Sequence, residues 1–177
     1  VELVDYSRPG FAVVYLDGEP AAGPGGPVRL ALVGGAAGLR FEPDAAALAV
    51  GGRVVIENRT GEAHVVSCPA AGVLRRLDAR EAVEIPVERA GEVEVFAPDG
   101  AAARARVFAA PGPFATLSDA GRYALVDVAP GARMLRAWHS RFPPAARRVE
   151  LSPDSVQRVD LELGVGLASE DGGANAR

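Results

Sequence analysis

A chain of 177 residues is long enough for one large domain or two small ones, and its 49% hydrophobic and 24% charged residues exclude the disordered class. The net charge is -4 and all 19 positive residues are arginine, which argues against a general polyanion binder and so against nucleic acid as partner. One cysteine and two histidines exclude a disulfide framework and any cysteine-rich zinc or iron–sulfur site.

The absence of lysine beside 34 alanines reads as codon-composition bias rather than function. Glycine (21) and proline (14) make up about a fifth of the chain, which predicts many turns and few long helices. No stretch approaches the roughly 18–20 apolar residues that span a bilayer, so no transmembrane segment is expected. The chain opens on Val1 without a basic-then-apolar signal, so either a leader has been removed or the numbering hides one.

Short alternating runs closed by turn residues recur from the start. Gly10–Leu16, Val28–Val33 and Arg53–Asn58 are rich in Val, Ile, Leu and aromatics. Ala82–Val87, Glu92–Phe96 and Ala103–Phe108 alternate apolar with charged side chains, the pattern of strands with one buried and one wet face. Pro86 predicts an edge strand or a bulge in its run. Asp44–Ala49 has room for one helical turn between Pro43 and Gly51, and no window sustains a longer helix. The fold class is all-β.

Two Gly/Pro clusters punctuate the chain. Gly23–Pro27 reads as a mobile loop within the first half, and Ala109–Pro113 as an interdomain linker. Beyond the linker, Arg122–Val128, Arg133–His139, Arg147–Leu151 and Ser155–Leu163 predict a second, smaller sandwich. The expected organisation is therefore a domain over residues 1–110, a second over 111–163, and a tail over 164–177 ordered only by a partner. The first 110 residues carry 15 acids and 11 arginines, and the remainder eight of each. Arg133, Arg136, Arg141, Arg147 and Arg148 fall in one acid-free stretch.

Several features in one order resemble periplasmic cupredoxin-like proteins fused to a carboxypeptidase-regulatory-like (transthyretin-like) sandwich, the methylamine-utilisation type. They are AVVYL (Ala12–Leu16), FEP (Phe41–Pro43), LAVGGRVVIEN (Leu48–Asn58), HVVS (His64–Ser67) and, after the linker, Asp119–His139. The resemblance runs to about Leu163 and implies a Greek-key cupredoxin-like domain followed by a transthyretin-like one. It places His64 as the first copper-binding histidine. After the Val95-Phe96 strand end, however, Ala97, Gly100 and Ala103 stand where the family has Cys, His and Met. A blue-copper centre needs two imidazoles and a thiolate, so the resemblance implies the fold without its metal, and no cofactor is expected.

Other readings of single residues stay open at this level. His64 and Cys68, four apart, could form a rebuilt metal site, with Met134 or His139 in support, or a nucleophilic pair; a polar loop residue and a buried thiol are the plainer alternatives. Alternation puts Met134, Arg136 and Trp138 on one strand face, with Leu135, Ala137 and His139 on the other. Trp138 is then an interface anchor or a residue packed beneath a Pro143-Pro144 turn, which His139 would cap. Asn58-Arg59-Thr60 matches a glycosylation acceptor, though a turn role fits better. The arginine cluster reads as an anion-facing docking patch or a solvated strand face.

These readings predict a non-catalytic binding or scaffold protein of the bacterial periplasm. It would be an accessory subunit of a membrane-bound electron-transport or other envelope complex, with protein partners and no type-1 copper. Peripheral membrane contact is left open. Arg133, Arg136, Trp138, His139, Arg141, Arg147 and Arg148 are the interface candidates, together with the tail. A copper carrier built on His64 and Cys68 is the alternative, and a carbohydrate- or peptide-binding module is a second.

Overall fold

The computed structural model describes residues 10–18, 26–36, 38–98, 103–153 and 155–164. Among them the regular elements are strands in three sheets, apart from a single 3-10 turn at Pro69–Ala71. The all-β expectation holds, including at Ala45–Ala49, where a strand replaces the predicted helical turn. The chain divides into two compact units, one over Ala22–Pro111 and the other made of Val1–Ala21 with Gly112–Arg177.

The strand Ala12–Leu16 (β1) is the main departure from the expected organisation. It pairs with strands beyond residue 111, not with the neighbours that follow it in sequence. Residues 22–111 are thus inserted between β1 and the rest of its sheet. The linker at Ala109–Pro113 marks one junction. The other falls just before Gly23–Pro27, a segment read from sequence as a loop within one domain and lying partly outside the described residues.

The inserted unit is a sandwich. One sheet runs β3 (Arg40–Glu42), β2 (Val28–Val33), β5 (Arg53–Asn58) and β8 (Ala82–Pro86). The other runs β4 (Ala45–Ala49), β10 (Arg104–Ala110), β9 (Gly91–Phe96), β6 (His64–Cys68) and β7 (Val73–Leu77). β2–β5 and β4–β10 pair in parallel and the other neighbours antiparallel. Period-two alternation sends Leu30, Leu32, Ile56 and Ile85 from one sheet, and Val66, Val95 and Val107 from the other, into one core. Each such side chain contributes roughly 1.5–3 kcal/mol when fully buried. Pro86 closes the edge strand β8, where its missing N–H leaves no ladder bond unmade.

The second unit holds one antiparallel sheet in the order β11 (Phe114–Thr116), β1, β12 (Gly131–His139), β13 (Phe142–Leu151). β12 and β13 join through a tight turn at Ser140-Arg141. Pro143 and Pro144 lie within β13 instead of forming the predicted turn, at a register irregularity opposite Trp138 on the sheet's edge. The predicted strands at 122–128 and 155–163 are stretches without ladder pairing among the described residues, the first bent at Asp127, whose φ is +55. Tyr123, Leu125 and Val128 from the first, with Val159, Leu161 and Leu163 from the second, pack on a core of Val14, Leu16, Leu135 and Val149. Residues 165–177, most of the expected tail, lie outside the described residues.

Candidate functional site

The segment in which the sequence resemblance placed the copper loop is the β9–β10 hairpin. Here the Ala97 N–H donates to the Ala103 carbonyl at 3.0 Å, and the two residues are 2% and 1% exposed. Both methyl groups are packed into the core and carry no lone pair to offer a metal. Gly100, at the position of the second histidine, lies outside the described residues. His64 stands at the start of β6, half-buried and opposite Leu77. A type-1 copper ion does not fit this residue set, and no chemistry is routed through one.

The alternative site is overturned by strand geometry. His64 and Cys68 lie on the same face of β6, but four strand residues separate their Cα atoms by about 13 Å. Metal ligands must converge to roughly 2.0–2.3 Å from one ion, which an unbroken strand forbids at that spacing. The same separation removes the nucleophile–base pair. Cys68 is 1% exposed; burial pushes its thiol up, and a backbone hydrogen bond at Ala71 opposes this only in part. It is a core thiol, not a nucleophile. Among the described residues no group of three or more His, Cys, Asp or Glu side chains is placed to hold a metal. Met134 and His139 belong to the other unit.

The arginine cluster also divides. Opposed residues in an antiparallel ladder share a face. Arg133 pairs with Val149 and Arg147 with Leu135, so both arginines flank the apolar face. Arg136 and Arg148 pair with Ala146 and Met134 on the reverse face, while Arg141 sits in the turn. Arg136 is engaged with Asp17, and Arg147 donates to the Asp160 carbonyl at 3.1 Å. The sequence cluster is therefore not one docking patch.

The predicted face assignment along β12 holds. Leu135, Ala137 and His139 are buried, while Met134, Arg136 and Trp138 are half-buried. Trp138 lies opposite Val13. His139 is 4% exposed, which withdraws it from the interface candidates. Its Nδ1 accepts from the Arg141 N–H at 3.0 Å and its ring lies 4.7 Å from that of Phe142, so it braces the Ser140-Arg141 turn and not the Pro143-Pro144 turn it was expected to cap.

The site that sequence reading missed is a cleft of about 1170 Å³ in the second unit. Leu16, Leu135 and Val149 form its floor, and the stretches 122–128 and 155–160 form its banks. Val126 and Val156, 75% and 103% exposed, stand on opposite banks. The lining carries Tyr123, two arginines and two aspartates but no imidazole or thiol among the described residues. Burial pushes the Tyr123 phenol up and Asp160 adds to this, with Arg147 opposing, so it is no base at neutral pH. The available signal was the pair of alternating runs at 122–128 and 155–163, which sequence reading assigned to ordinary strands.

No family model and no curated protein matches the chain. Solved structures similar to it include two mutants of amicyanin. A reduced Cu(I) form at pH 4 of a proline-to-glycine mutant is 18% identical, with a TM-score of 0.40, covering 54% of this chain and 97% of amicyanin. A methionine-to-alanine mutant with Cu(I) is 20% identical, with the same TM-score and coverage. What this chain does has to be argued from its own residues. Among the described residues no helix is long and apolar enough to cross a membrane.

Proposed function

We propose that the chain is a non-catalytic binding or scaffold protein, an accessory subunit of a periplasmic or membrane-bound electron-transport complex, working without a type-1 copper centre. The observation that carries this reading is the closure of the β9–β10 hairpin by the buried methyl groups of Ala97 and Ala103. A sandwich whose ligand positions are filled with core side chains retains its surfaces and loses its redox chemistry. The exposed Arg141, in the turn, and Arg148, on the face away from the apolar core, supply positive charge for an acidic partner surface. The family resemblance supports a periplasmic location.

Two measurements test it. Anaerobic titration with Cu(I) and with Cu(II) is expected to give neither stoichiometric tight binding nor an intense visible thiolate–copper band. Stoichiometric binding abolished by His64→Ala would overturn the metal-free reading. Native sizing of envelope extracts is expected to place the chain in a larger assembly, weakened by reversing the charges of Arg141 and Arg148. A lone monomer in those extracts contradicts the accessory role.

A further inference from the structure

The outer face of the β3-β2-β5-β8 sheet carries more positive charge than it neutralises. Alternation sends Leu30, Leu32, Val54 and Ile56 into the core, so Arg29 and Ala31 on β2 and Val55 and Glu57 on β5 face outward. The register sets Ala31 on one side of Glu57 and Ala82 of β8 on the other, with Arg29 one step back beside Val55. Two further arginines reach this carboxylate from loops. Arg59 donates its N–H to the Leu32 carbonyl at 2.9 Å and pairs with Glu57 at 2.8 Å. Arg80, between β7 and β8, donates its N–H to the Asn58 carbonyl at 2.8 Å, and its φ of +66 is a backbone strain that glycine would avoid. The Arg40–Glu42, Arg53–Glu84 and Arg59–Glu57 pairs engage the three glutamates that the register places on this face. Arg29 and Arg80 are exposed and in no ion pair among the described residues. The Arg59 bond holds the Glu57 carboxyl below the usual range; burial opposes this, and the charges of Arg59, Arg29 and Arg80 add to it.

We infer that this face docks an acidic protein surface, with Arg29 and Arg80 each taking a carboxylate on either side of Glu57. The inference rests on the reading of the chain as a binding protein and gives it a surface on the unit that lacks Arg141 and Arg148. Charge complementarity selects the occupant, because each free guanidinium presents a planar fork that a carboxylate meets with two hydrogen bonds. Glu57 selects between classes of anion. Its charge at the centre repels a continuous run of phosphates, as on an anionic membrane, while separate carboxylates fit at the two flanks. Ala31 and Ala82 keep the face low beside Glu57, so a partner surface can approach closely.

NMR titration of the full chain with hexaglutamate at low salt tests the proposal. Saturable amide shifts are expected at residues 29–31, 57–59 and 80–82, weakening as salt is raised. Absence of shifts there overturns it. Arg29→Glu combined with Arg80→Asn should weaken binding at least about tenfold, asparagine being tolerant of the left-handed backbone at 80. Arg141→Glu combined with Arg148→Glu should leave the affinity unchanged. An undiminished affinity in the first variant, or an equal loss in the second, overturns the assignment to this face. Should the first variant not fold, Arg29→Gln alone decides: a loss of about threefold is expected, and an unchanged affinity overturns the proposal. Equal shifts at the same residues with phosphatidylglycerol vesicles would overturn the assignment to carboxylates. Native sizing keeps this proposal apart from the accessory role, since a lone monomer that binds hexaglutamate at these residues removes the assembly and supports the face.

Discussion

The Asn58 carboxamide oxygen accepts from both the backbone N–H and the hydroxyl of Thr60, at 3.0 and 2.8 Å. On its other side Nδ2 is within hydrogen-bond reach of the carbonyls of Glu62, Leu77 and Asp78, at 2.8, 3.1 and 3.1 Å. The side chain is fully buried, so it fastens the end of β5 to the loops after β5 and β7. The same geometry closes the glycosylation motif, because the nitrogen that would carry the sugar already donates inside the protein.

Asn58→Ala should therefore be among the costlier single substitutions, by about 3 kcal/mol, because it strands buried carbonyls as well as losing its own bonds. The check is the urea midpoint, expected to fall with little change in slope. A loss below about 1 kcal/mol would mean that water replaces the carboxamide. Expression in a glycosylating host should leave Asn58 unmodified by mass spectrometry.

Cys68 should behave as a reporter of unfolding. It is 1% exposed at the end of β6, and burial pushes its thiol up, so neither access nor thiolate favours attack. A thiol reagent at pH 8 is expected to leave the native protein unmodified over minutes and to label it at once in urea. Rapid stoichiometric labelling without denaturant would contradict the packing at β6.

Alkaline pH should weaken the fold in a predictable window. Burial is the leading cause raising the phenols of Tyr15 and Tyr123, with Asp17 and Asp160 respectively adding to it. A folded-state pKa above the unfolded one favours the protonated form in the native state. The stability involved is fully present below the unfolded pKa and is lost as pH rises through the folded one. Cys68 begins this decline above about pH 8.5 and the tyrosines continue it above about pH 10. Urea midpoints from pH 7 to 11 should fall along that course. Tyr123→Phe should lose about 1 kcal/mol at pH 7 with its bond to Val159, and show a shallower decline above pH 10.

Local patterns in the sequence were readable wherever the deciding interaction is local. Alternation in Glu92–Phe96 placed Val93 and Val95 inside, Pro86 marked an edge, and the β12 faces followed from period two alone. Connectivity was not readable. Nothing in AVVYL distinguishes a strand that pairs with β2 from one that pairs with β12, because a run of apolar residues fits any buried sheet position. His64 and Cys68 misled for a related reason: a spacing of four is compact on a helix or in a loop and about 13 Å on a strand. The arginines looked clustered because sequence distance ignores that β12 and β13 each present two faces. The cleft needed both layers of its unit to be assembled before it existed.

The Gly51-Gly52 pair offers a test in which two adjacent glycines fail for different reasons. Gly51 has φ +85 and open space around a built Cβ, so Gly51→Ala meets only backbone strain, about 1 kcal/mol. At Gly52 a Cβ would lie 2.7 Å from Leu48 Cδ1 and 2.9 Å from the Ala49 carbonyl oxygen. The leucine tip could rotate only within a packed core, where it is 3% exposed. The carbonyl cannot yield without breaking the bond it accepts from the Gly52 N–H at 3.0 Å. The Gly52 carbonyl in turn accepts from the Val87 N–H at 3.0 Å, so a shift would carry into the segment after β8. Gly52→Ala should cost about 2–3 kcal/mol and exceed Gly51→Ala in urea denaturation. The reverse order would mean that conformation, not space, limits the turn that links the two sheets of this sandwich.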